Sequence, residues 1–527
     1  MTDVEARAAA LQEAAAVGLS VAFHAAEAPD RPAVQSAFGD RTFGALNANA
    51  NRLVRVLREA GVGSGDGVAL LCRNRPEFCE THSAALRMGA RMTPINWHLM
   101  PDEVAYIVDD CEAKVLVVDA AFAEAASASA EASSHLRLVL SVGGELDGAT
   151  PYDDALEGVE GADISDPQLG FGMLYTSGTT GRPKGVFRKP TGTPSPLLLE
   201  VRDSAAFNAE TDVALVTGPL YHAAPLSLNY AIPVGAGLGC VLMDKWDAAE
   251  TLRLISEKRV THSHLVATMF HRLLQLPEEV KTRYDVSSLR WILHGAAPTP
   301  AHVKQAMIEW WGPILWEYYA ATEGGSYYIG SEEWLTKPGS VGRPVEGTEA
   351  RLFGEDGEDV AQGEAGTVYF RAPDEGRFSY FKAPEKTDSA YRGDYYTMGD
   401  MGYLDEEGYL FLTGRSAETI IAGGVNIYPQ EIDDVLNQHQ AVYEVCTVGV
   451  PNDEWGESVA SVIEVHPGVE PSEELRSELL AFCEDNLPAY KRPRQIDFAT
   501  DLPRMPTGKI QRHKVRARYW EGRDSTI

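Results

Sequence analysis

Leu174-Tyr175-Thr176-Ser177-Gly178-Thr179-Thr180-Gly181-Arg182-Pro183-Lys184-Gly185 is the most informative stretch of this sequence. An apolar run precedes it, which predicts a buried strand that leads into a loop. Glycines let the backbone of such a loop turn with its N–H groups pointing inward, and the hydroxyl groups add further donors. Lys184 supplies positive charge, so the loop is suited to binding a polyphosphate. It differs from a Walker A loop, because Lys184 follows Arg182-Pro183 and no Ser or Thr comes next.

Length and composition indicate a globular protein with more than one domain. The 527 residues are enough for two or three domains, and 44% hydrophobic with 23% charged residues is an ordinary globular composition. The 46 Lys and Arg against 77 Asp and Glu give a net charge of −31, which argues against binding to nucleic acid or to an anionic membrane surface. Nine Lys or Arg between Pro488 and Arg518 are a local exception, and they face either solvent or a polyanionic ligand.

Cysteine spacing and the first residues bear on where the protein resides. The six cysteines show no C-x-x-C spacing, which predicts reduced core thiols and neither a disulfide framework nor a zinc site. The chain starts with acidic residues where a signal peptide needs basic ones, and no run of about eighteen apolar residues occurs. We therefore expect a cytoplasmic protein with no integral membrane segment. The cysteines are Cys72, Cys79, Cys111, Cys240, Cys446 and Cys483.

The hydrophobic pattern predicts an α/β fold built in several parts. Strand and helix patterns alternate over the first 150 residues, with a strand at 68–72 and helices at 76–88 and 101–110, which favours parallel α/β layers. From about residue 350, short strands separated by glycine and acidic turns predict a β-rich subdomain. The expected organisation is a large N-terminal region over 1–413, a short junction at 414–417 and a small C-terminal α+β domain over 418–527.

Further segments complete a pattern that extends over most of the chain. With the loop at 174–185, they resemble the adenylate-forming superfamily, which includes acyl-CoA synthetases, peptide-synthetase adenylation domains and luciferases. The resemblance spans residues 68–512, and the string Pro503-Arg-Met-Pro-Thr507-Gly508-Lys509-Ile510 is its most specific part near the C-terminus. The remaining matching segments are 218–225, 291–298, 317–323, 396–404 and 412–429.

The resemblance implies a site for ATP and Mg²⁺. In that site Thr322 contacts phosphate, and Glu323 holds Mg²⁺, a hard ion that prefers carboxylate oxygen. Asp400 accepts hydrogen bonds from the ribose hydroxyl groups, and Arg415 contacts ribose or phosphate. The residues assigned to ATP or AMP are Thr176, Ser177, Gly178, Thr179, Thr180, Gly181, Lys184, Gly295, Ala296, Ala297, Tyr318, Tyr319, Asp400 and Arg415.

The resemblance also implies a catalytic lysine and a CoA site. Lys509 bridges the substrate carboxylate and the α-phosphate of ATP while the acyl-adenylate forms. The resemblance further makes residues 1–413 the adenylation core and residues 414–417 the hinge. The small, mobile C-terminal domain over 418–527 rotates about this hinge, and the thiol of CoA then attacks the adenylate. The catalytic assignments are Lys509, Thr322, Glu323 and His222, and the CoA assignments are Gly423, Gly424, Tyr490, Arg492 and Arg494.

Two positions depart from the family pattern. Ala320 stands where the family usually has glycine, so one extra methyl group lies beside the expected ligand. Ala417 stands where the hinge usually carries Asp or Lys as its pivot. The second change puts in doubt the polar contacts of the pivot and the balance between the two domain orientations.

An acyl-CoA synthetase is the leading interpretation, with several alternatives. An amino-acid adenylation domain usually carries an aspartate shortly after the position of Tyr221, and this chain has none there. A fatty-acyl-AMP ligase that loads a carrier protein stays open, although its usual insertion before the hinge is not evident. Nothing favours luciferase-like oxidation. A nucleotide-binding regulatory relative without catalysis is disfavoured, because Lys184, Glu323, Asp400 and Lys509 are all present.

The acyl group is expected to be apolar. The pocket segments contain His222, Tyr318, Tyr327 and Tyr328 with small residues around them, and no basic residue for a second carboxylate. A medium- or long-chain fatty acid is the first expectation, and an aryl or steroid-type acid the second. The expected partners are therefore a small-molecule carboxylic acid, ATP and CoA, and assembly as a homodimer stays open.

Overall fold

The computed structural model describes residues 2–176, 182–296, 299, 301–354, 357–364, 366–415, 420–427, 429–503, 510 and 512–521. Within these residues the predicted α/β class is confirmed, with a large N-terminal region and a smaller C-terminal unit. The helices expected at 76–88 and 101–110 are observed as Pro76–Arg87 and Pro101–Asp110, and the strand expected at 68–72 is observed as Gly67–Leu71.

The first sheet contains six strands, and every pairing in it is parallel. Its central strands contain the buried apolar runs Gly67–Leu71 and 115–118, as expected for a parallel sheet that is covered on both faces. In spatial order the strands are Thr150–Pro151, Leu138–Val142, Ala113–Asp119, Gly67–Leu71, Arg91–Pro94 and Phe171–Gly172.

The second sheet contains nine strands, with a parallel centre and antiparallel edges. Helices Phe43–Glu59 and Pro76–Arg87 contribute to the core between the two sheets, through Leu53, Leu57 and Phe78. In spatial order its strands are Arg343–Pro344, Gly324–Gly330, Leu315–Ala321, Trp291–His294, His262–Leu265, Val213–Val216, Gly239–Leu242, Pro32–Ser36 and Arg41–Thr42.

Two smaller antiparallel sheets complete the N-terminal region. One has three strands and includes the hairpin on either side of the glycine-rich loop. The other has five strands and corresponds to the β-rich segment expected after residue 350. The strands are Ser379–Tyr380, Lys184–Phe187 and Leu174–Thr176 in the first, and Ala350–Phe353, Gly366–Arg371, Tyr395–Leu404, Tyr391–Arg392 and Leu410–Arg415 in the second.

The C-terminal unit has its own sheet and its own core. A long hairpin of two strands forms its centre, and helices Pro429–Leu436 and Glu473–Asn486 supply Ile432, Leu436 and Leu479 to the core. Its strands are Val425–Ile427, Ile420–Ala422, Gly456–Val465, Val442–Asn452 and Gln495–Phe498.

The α-helices vary in length from four to seventeen residues. In the described part of the chain, none has the combination of length and apolar character needed to cross a bilayer. The remaining helices are Asp3–Ala16, Ser20–Glu27, Ala123–Ala132, Tyr152–Leu156, Pro196–Ala205, the π-helix Pro225–Ala231, Ile232–Gly235, Ala248–Lys258, Ala267–Leu274, Glu278–Lys281, Ala301–Trp311, Ser331–Trp334, Pro384–Ala390 and Arg512–Trp520, with a 3₁₀ turn at Ala120–Phe122.

Candidate active site

The sequence motifs meet at one edge of the nine-stranded sheet. Its central strands are parallel, so their carboxyl ends lie on the same side, where ligands bind in open α/β sheets. The motif residues there border a cavity of about 2300 Å³, larger than the roughly 300–1000 Å³ of a small-molecule pocket, so there is room for more than one substrate. Strand Val213–Val216 leads to His222, Trp291–His294 leads to Gly295 and Ala296, and Leu315–Ala321 leads to Thr322 and Glu323.

Lys184 borders the cavity at the base of the glycine-rich loop. Its strand pairs antiparallel with the strand before the loop, and Lys184 lies opposite Thr176. The Nζ atom lies 4.9 Å from the centroid of the Tyr380 ring. Burial and the neighbouring Lys386 lower the pKa of Lys184, and Glu323 opposes this shift. A polyphosphate in the cavity would stabilise the ammonium form.

Thr322 and Glu323 lie in the turn between two antiparallel strands. The hydroxyl group of Tyr380 donates a hydrogen bond to Oε1 of Glu323 at 3.0 Å, and Arg188 donates to the main-chain oxygen of Glu323 at 2.6 Å. The carboxylate is therefore oriented at the cavity wall. Mg²⁺ is commonly bound by one or two carboxylates together with substrate phosphates, so this single oriented carboxylate fits a magnesium–nucleotide complex.

The turn expected to contact adenine is tightly packed. A Cβ atom on Gly295 would lie 2.5 Å from the main-chain oxygen of Tyr318, so only glycine fits. Ala296 has a φ of 66°, a left-handed conformation that costs a non-glycine residue roughly 1–2 kcal/mol. Ala296 and Tyr318 both border the cavity, and the Tyr318 hydroxyl group lies 3.1 Å from Nε2 of His264. Strain of this kind is concentrated at functional sites.

Tyr319 and Asp400 form a buried pair beside the cavity. The Tyr319 hydroxyl group donates to Oδ2 of Asp400 at 2.7 Å, and neither residue borders the cavity. Asp400 lies opposite Arg415 on the neighbouring strand, and the side chain of Arg415 is outside the described part of the structure. A ribose contact of Asp400 therefore stays a prediction.

His222 faces the cavity from the segment that precedes the π-helix Pro225–Ala231. His222 is exposed to the open cavity, yet the protein packed around it desolvates the imidazolium. This burial, with a smaller contribution from His98, lowers the pKa of His222 to about 4. His222 is therefore neutral at physiological pH. A π-helix is rare and is often found at functional sites.

The C-terminal unit contributes the opposite wall of the cavity. Gly423, Gly424 and Tyr490, all expected at the CoA site, border it, and Trp455 does so as well. A Cβ atom on Gly423 would lie 3.1 Å from the Trp455 ring, and the φ of +58° also favours glycine. On the other side the same atom would lie 3.5 Å from Cγ2 of Thr268, a residue of the N-terminal region.

Arg492 and Arg494 do not border the cavity in this orientation of the C-terminal unit. Arg492 donates hydrogen bonds to the main-chain oxygens of Leu487 and Glu484, and Arg494 donates to that of Ala489. Binding of CoA phosphates by these two guanidinium groups stays a prediction. Several other assignments lie outside the described residues, namely Ser177, Gly178, Thr179, Thr180, Gly181, Ala297 and Lys509.

Sequence reasoning missed residues that complete the site. Arg188 and Tyr380 orient Glu323, and Trp455 packs on Gly423. Arg188 directly follows the strand Lys184–Phe187, so its charge close to the expected phosphate loop could have indicated it. Tyr380 and Trp455 carry no local signal, because each reaches the site through long-range packing.

Comparison with known proteins identifies the family. Residues 21–377 match the model for AMP-binding enzymes, and residues 431–509 match that for the AMP-binding enzyme C-terminal domain. The chain belongs to the AMP-binding enzyme family. The resemblance to the adenylate-forming superfamily is thereby confirmed. One relative of this AMP-binding enzyme is the long-chain-fatty-acid–CoA ligase FadD13 of Mycobacterium tuberculosis, which is 32% identical over 495 residues, 91% of this chain and 93% of the relative.

Solved structures of AMP-binding enzymes share the whole architecture. The amide bond synthetase McbA from Marinactinospora thermotolerans is 26% identical, with a TM-score of 0.83 over 95% of this chain and 99% of that one. A double mutant of o-succinylbenzoate CoA synthetase from Bacillus subtilis, bound with a product analogue, is 26% identical, with a TM-score of 0.79 over 95% and 98%. The same synthetase in complex with its acyl-adenylate intermediate has a TM-score of 0.64 over 94% and 97%.

Proposed function

We propose that this AMP-binding enzyme is an AMP-forming acyl-CoA synthetase for a hydrophobic carboxylic acid, with medium- or long-chain fatty acids as the first candidates. The observation that carries the proposal is the shared cavity. Lys184, Thr322 and Glu323 border it from the N-terminal region, and Gly423 and Gly424 border it from the C-terminal unit. One chamber therefore serves both a nucleotide and an incoming thiol.

The first half-reaction joins two anions, which makes charge compensation the main catalytic task. A carboxylate attacks the α-phosphate of ATP, and pyrophosphate leaves. In our proposal the loop at 176–184 and Thr322 hold the departing phosphates, and Glu323 holds their Mg²⁺. Lys509 stabilises the negative charge that builds between the carboxylate and the α-phosphate. Removing one such donor lowers rates roughly 10²- to 10³-fold in other enzymes.

The second half-reaction uses the orientation seen in this structure. The product-analogue complex of the Bacillus synthetase matches this chain better than the adenylate complex of the same synthetase, with TM-scores of 0.79 and 0.64. This difference supports assigning the present orientation to thiol transfer. Gly423 and Gly424 would then form the pantetheine entrance, where a side chain would obstruct the path.

The hydrophobic acid is inferred from the lining beyond His222. One face of the π-helix presents Leu228 and Ala231 to the cavity, and Leu197 lies on the helix Pro196–Ala205, which also borders it. The helix Asp3–Ala16 also borders the cavity, with Leu11 and several alanines. This run of apolar side chains is suited to an extended alkyl chain, because each buried CH₂ group contributes about 0.8 kcal/mol.

The test is pyrophosphate release across fatty, aryl and alicyclic acids, with and without CoA, beside a Lys509→Ala variant. We expect CoA-dependent turnover with fatty acids and a loss of roughly 10²-fold or more in the variant. Turnover restricted to aryl or steroid-type acids would correct the substrate class. Pyrophosphate release that CoA does not discharge would point to a carrier-protein or amine acceptor. No release with any acid would contradict the proposal.

A further inference from the structure

Within the described residues, the ion pairs Glu103–Lys491 and Arg272–Glu454 join the C-terminal unit to the N-terminal region. The Nζ atom of Lys491 lies 2.9 Å from Oε1 of Glu103, and Nε of Arg272 lies 2.5 Å from Oε1 of Glu454. Arg272 also stacks on Trp455, with its guanidinium carbon 5.2 Å from the ring centroid. Because each pair has one partner in each part, both pairs depend on the present orientation.

The pair Glu103–Lys491 is the more deeply buried of the two. The Lys491 side chain is 2% exposed and that of Glu103 is 23% exposed, whereas Arg272 and Glu454 are 39% and 40% exposed. The second carboxylate oxygen of Glu103 accepts a hydrogen bond from the main-chain N–H of Met100 at 3.0 Å. This bond at the start of helix Pro101–Asp110 orients the carboxylate and does not depend on Lys491.

Neither Glu103 nor Lys491 borders the cavity, so neither is placed to contact a substrate there. Tyr490, the residue before Lys491, does border the cavity. Any effect of the pair on catalysis must therefore pass through the position of the C-terminal unit. Arg272 borders the cavity itself, so changes at Arg272 would confuse positioning with ligand contact.

We propose that Glu103 and Lys491 are positioning residues that select the orientation in which Gly423, Gly424 and Tyr490 border the cavity. They therefore act on thiol transfer and not on adenylate formation. The inference rests on the proposed acyl-CoA synthetase function and adds two residues that set the balance between its half-reactions.

The physical basis is the asymmetry of a buried ion pair. When both partners are present, their attraction offsets the loss of hydration. When one partner is removed, the other buried charge loses its counter-ion across the two parts of the chain, and this orientation becomes less favourable. An orientation that exposes both groups to water is not penalised in the same way. Removing either partner thus shifts the population away from the thiol-transfer orientation.

The experiment compares both half-reactions in Lys491→Met, Glu103→Gln and the charge-swapped double variant Glu103→Lys/Lys491→Glu. ATP–pyrophosphate exchange without CoA measures adenylate formation, and acyl-CoA formation at saturating ATP and acid measures the complete reaction. The matched control is Lys114→Met, which breaks a 2.6 Å pair with Asp66 inside the N-terminal region.

We expect each single variant to keep the exchange rate within about twofold of the parent enzyme and to lose roughly tenfold in acyl-CoA formation, with a higher KM for CoA. The double variant should recover most of that loss, and the Lys114 control should change neither rate.

Equal losses in both half-reactions, unchanged acyl-CoA formation in both single variants, or a double variant as impaired as the single ones would each overturn the inference. Failure of the proposed function would look different, since the parent enzyme itself would then show no exchange or no transfer to CoA.

Discussion

Individual side chains at the cavity owe their properties to their surroundings more than to their chemical type. His222 illustrates this, because burial moves its pKa to about 4 and removes the titration that histidine normally shows near neutral pH. Lys184 shows the same influence in milder form, with its pKa lowered by burial and by Lys386. A neutral His222 is suited to border an apolar acyl chain and cannot act as a permanent cation toward a carboxylate.

The pH dependence of a His222→Asn variant tests whether His222 is neutral at physiological pH. Because the imidazole is already neutral above about pH 5, we expect the pH profile of adenylate formation between pH 6 and 9 to keep its shape. The KM for the acid should rise roughly fivefold, the effect of losing one contact of about 1 kcal/mol. ATP–pyrophosphate exchange at several pH values measures both quantities. Loss of an ionisation near pH 6.5 in the variant would show that His222 titrates there and would contradict the assignment.

Among the structural elements, the π-helix Pro225–Ala231 has the most direct bearing on the acyl group. Its wider turn follows His222 and presents Ser227, Leu228 and Ala231 to the cavity. A π-helical turn brings a different set of side chains to one face than an α-helical turn does. Such turns are frequent at functional sites. The small size of Ala231 leaves space beside Leu228.

The variant Ala231→Trp should accept short-chain acids but lose activity with long-chain acids. The indole would fill part of the apolar run, so we expect kcat/KM to fall roughly tenfold or more for long-chain acids and to change little for short ones. A series of saturated acids of increasing length provides the measurement. Ala130→Trp, on an exposed position of helix Ala123–Ala132, is the control for the bulk of tryptophan. A uniform loss across all lengths would indicate a folding defect and no role in chain selection.

At the level of the whole molecule, the C-terminal unit has a core separate from those of the N-terminal region. A buried carboxylate ties its first helix to its last. Asp433 accepts a hydrogen bond from the main-chain N–H of Thr447 at 2.8 Å and pairs with Arg512 at 2.9 Å. Arg512 begins the helix that follows the segment containing Lys509. Separate cores allow separate unfolding transitions.

Asp433→Asn should change how the stability of this unit depends on pH. Burial raises the pKa of Asp433 to about 6 although Arg512 opposes the shift, whereas an unfolded aspartate has a pKa of about 3.9. The folded state therefore binds the proton more tightly, and stability present below about pH 4 is lost as the pH rises through 6. Asparagine cannot ionise, so from pH 4.5 to 7 the variant should gain about 2 kcal/mol relative to the parent.

Urea denaturation followed by tryptophan fluorescence measures this difference, with Trp455 and Trp520 reporting from the C-terminal unit. A variant that instead becomes relatively less stable as the pH rises would show that the attraction of Arg512 outweighs burial.

The sequence predicted those features of the site that lie close together along the chain. The residues Thr322 and Glu323 directly follow a strand, and parallel strands bring such positions to one edge, so their grouping was predictable. The order of strands in the nine-stranded sheet was not, because pairing between distant strands has no local signal. Glu103 and Lys491 lie 388 residues apart, and nothing in either segment indicates the other.

The six cysteines have a practical consequence for observing this enzyme at work. All six are buried and none forms a disulfide bond, and burial raises the pKa of Cys483 to about 11 and that of Cys111 to about 12. Reagents such as maleimides attack the exposed thiolate, so the native chain offers them little to attack at neutral pH. Two cysteines introduced on the surface, one in each region, could therefore carry a donor and an acceptor dye without removing any native thiol. Energy transfer between the dyes would then test whether the C-terminal unit changes its orientation in single molecules during turnover.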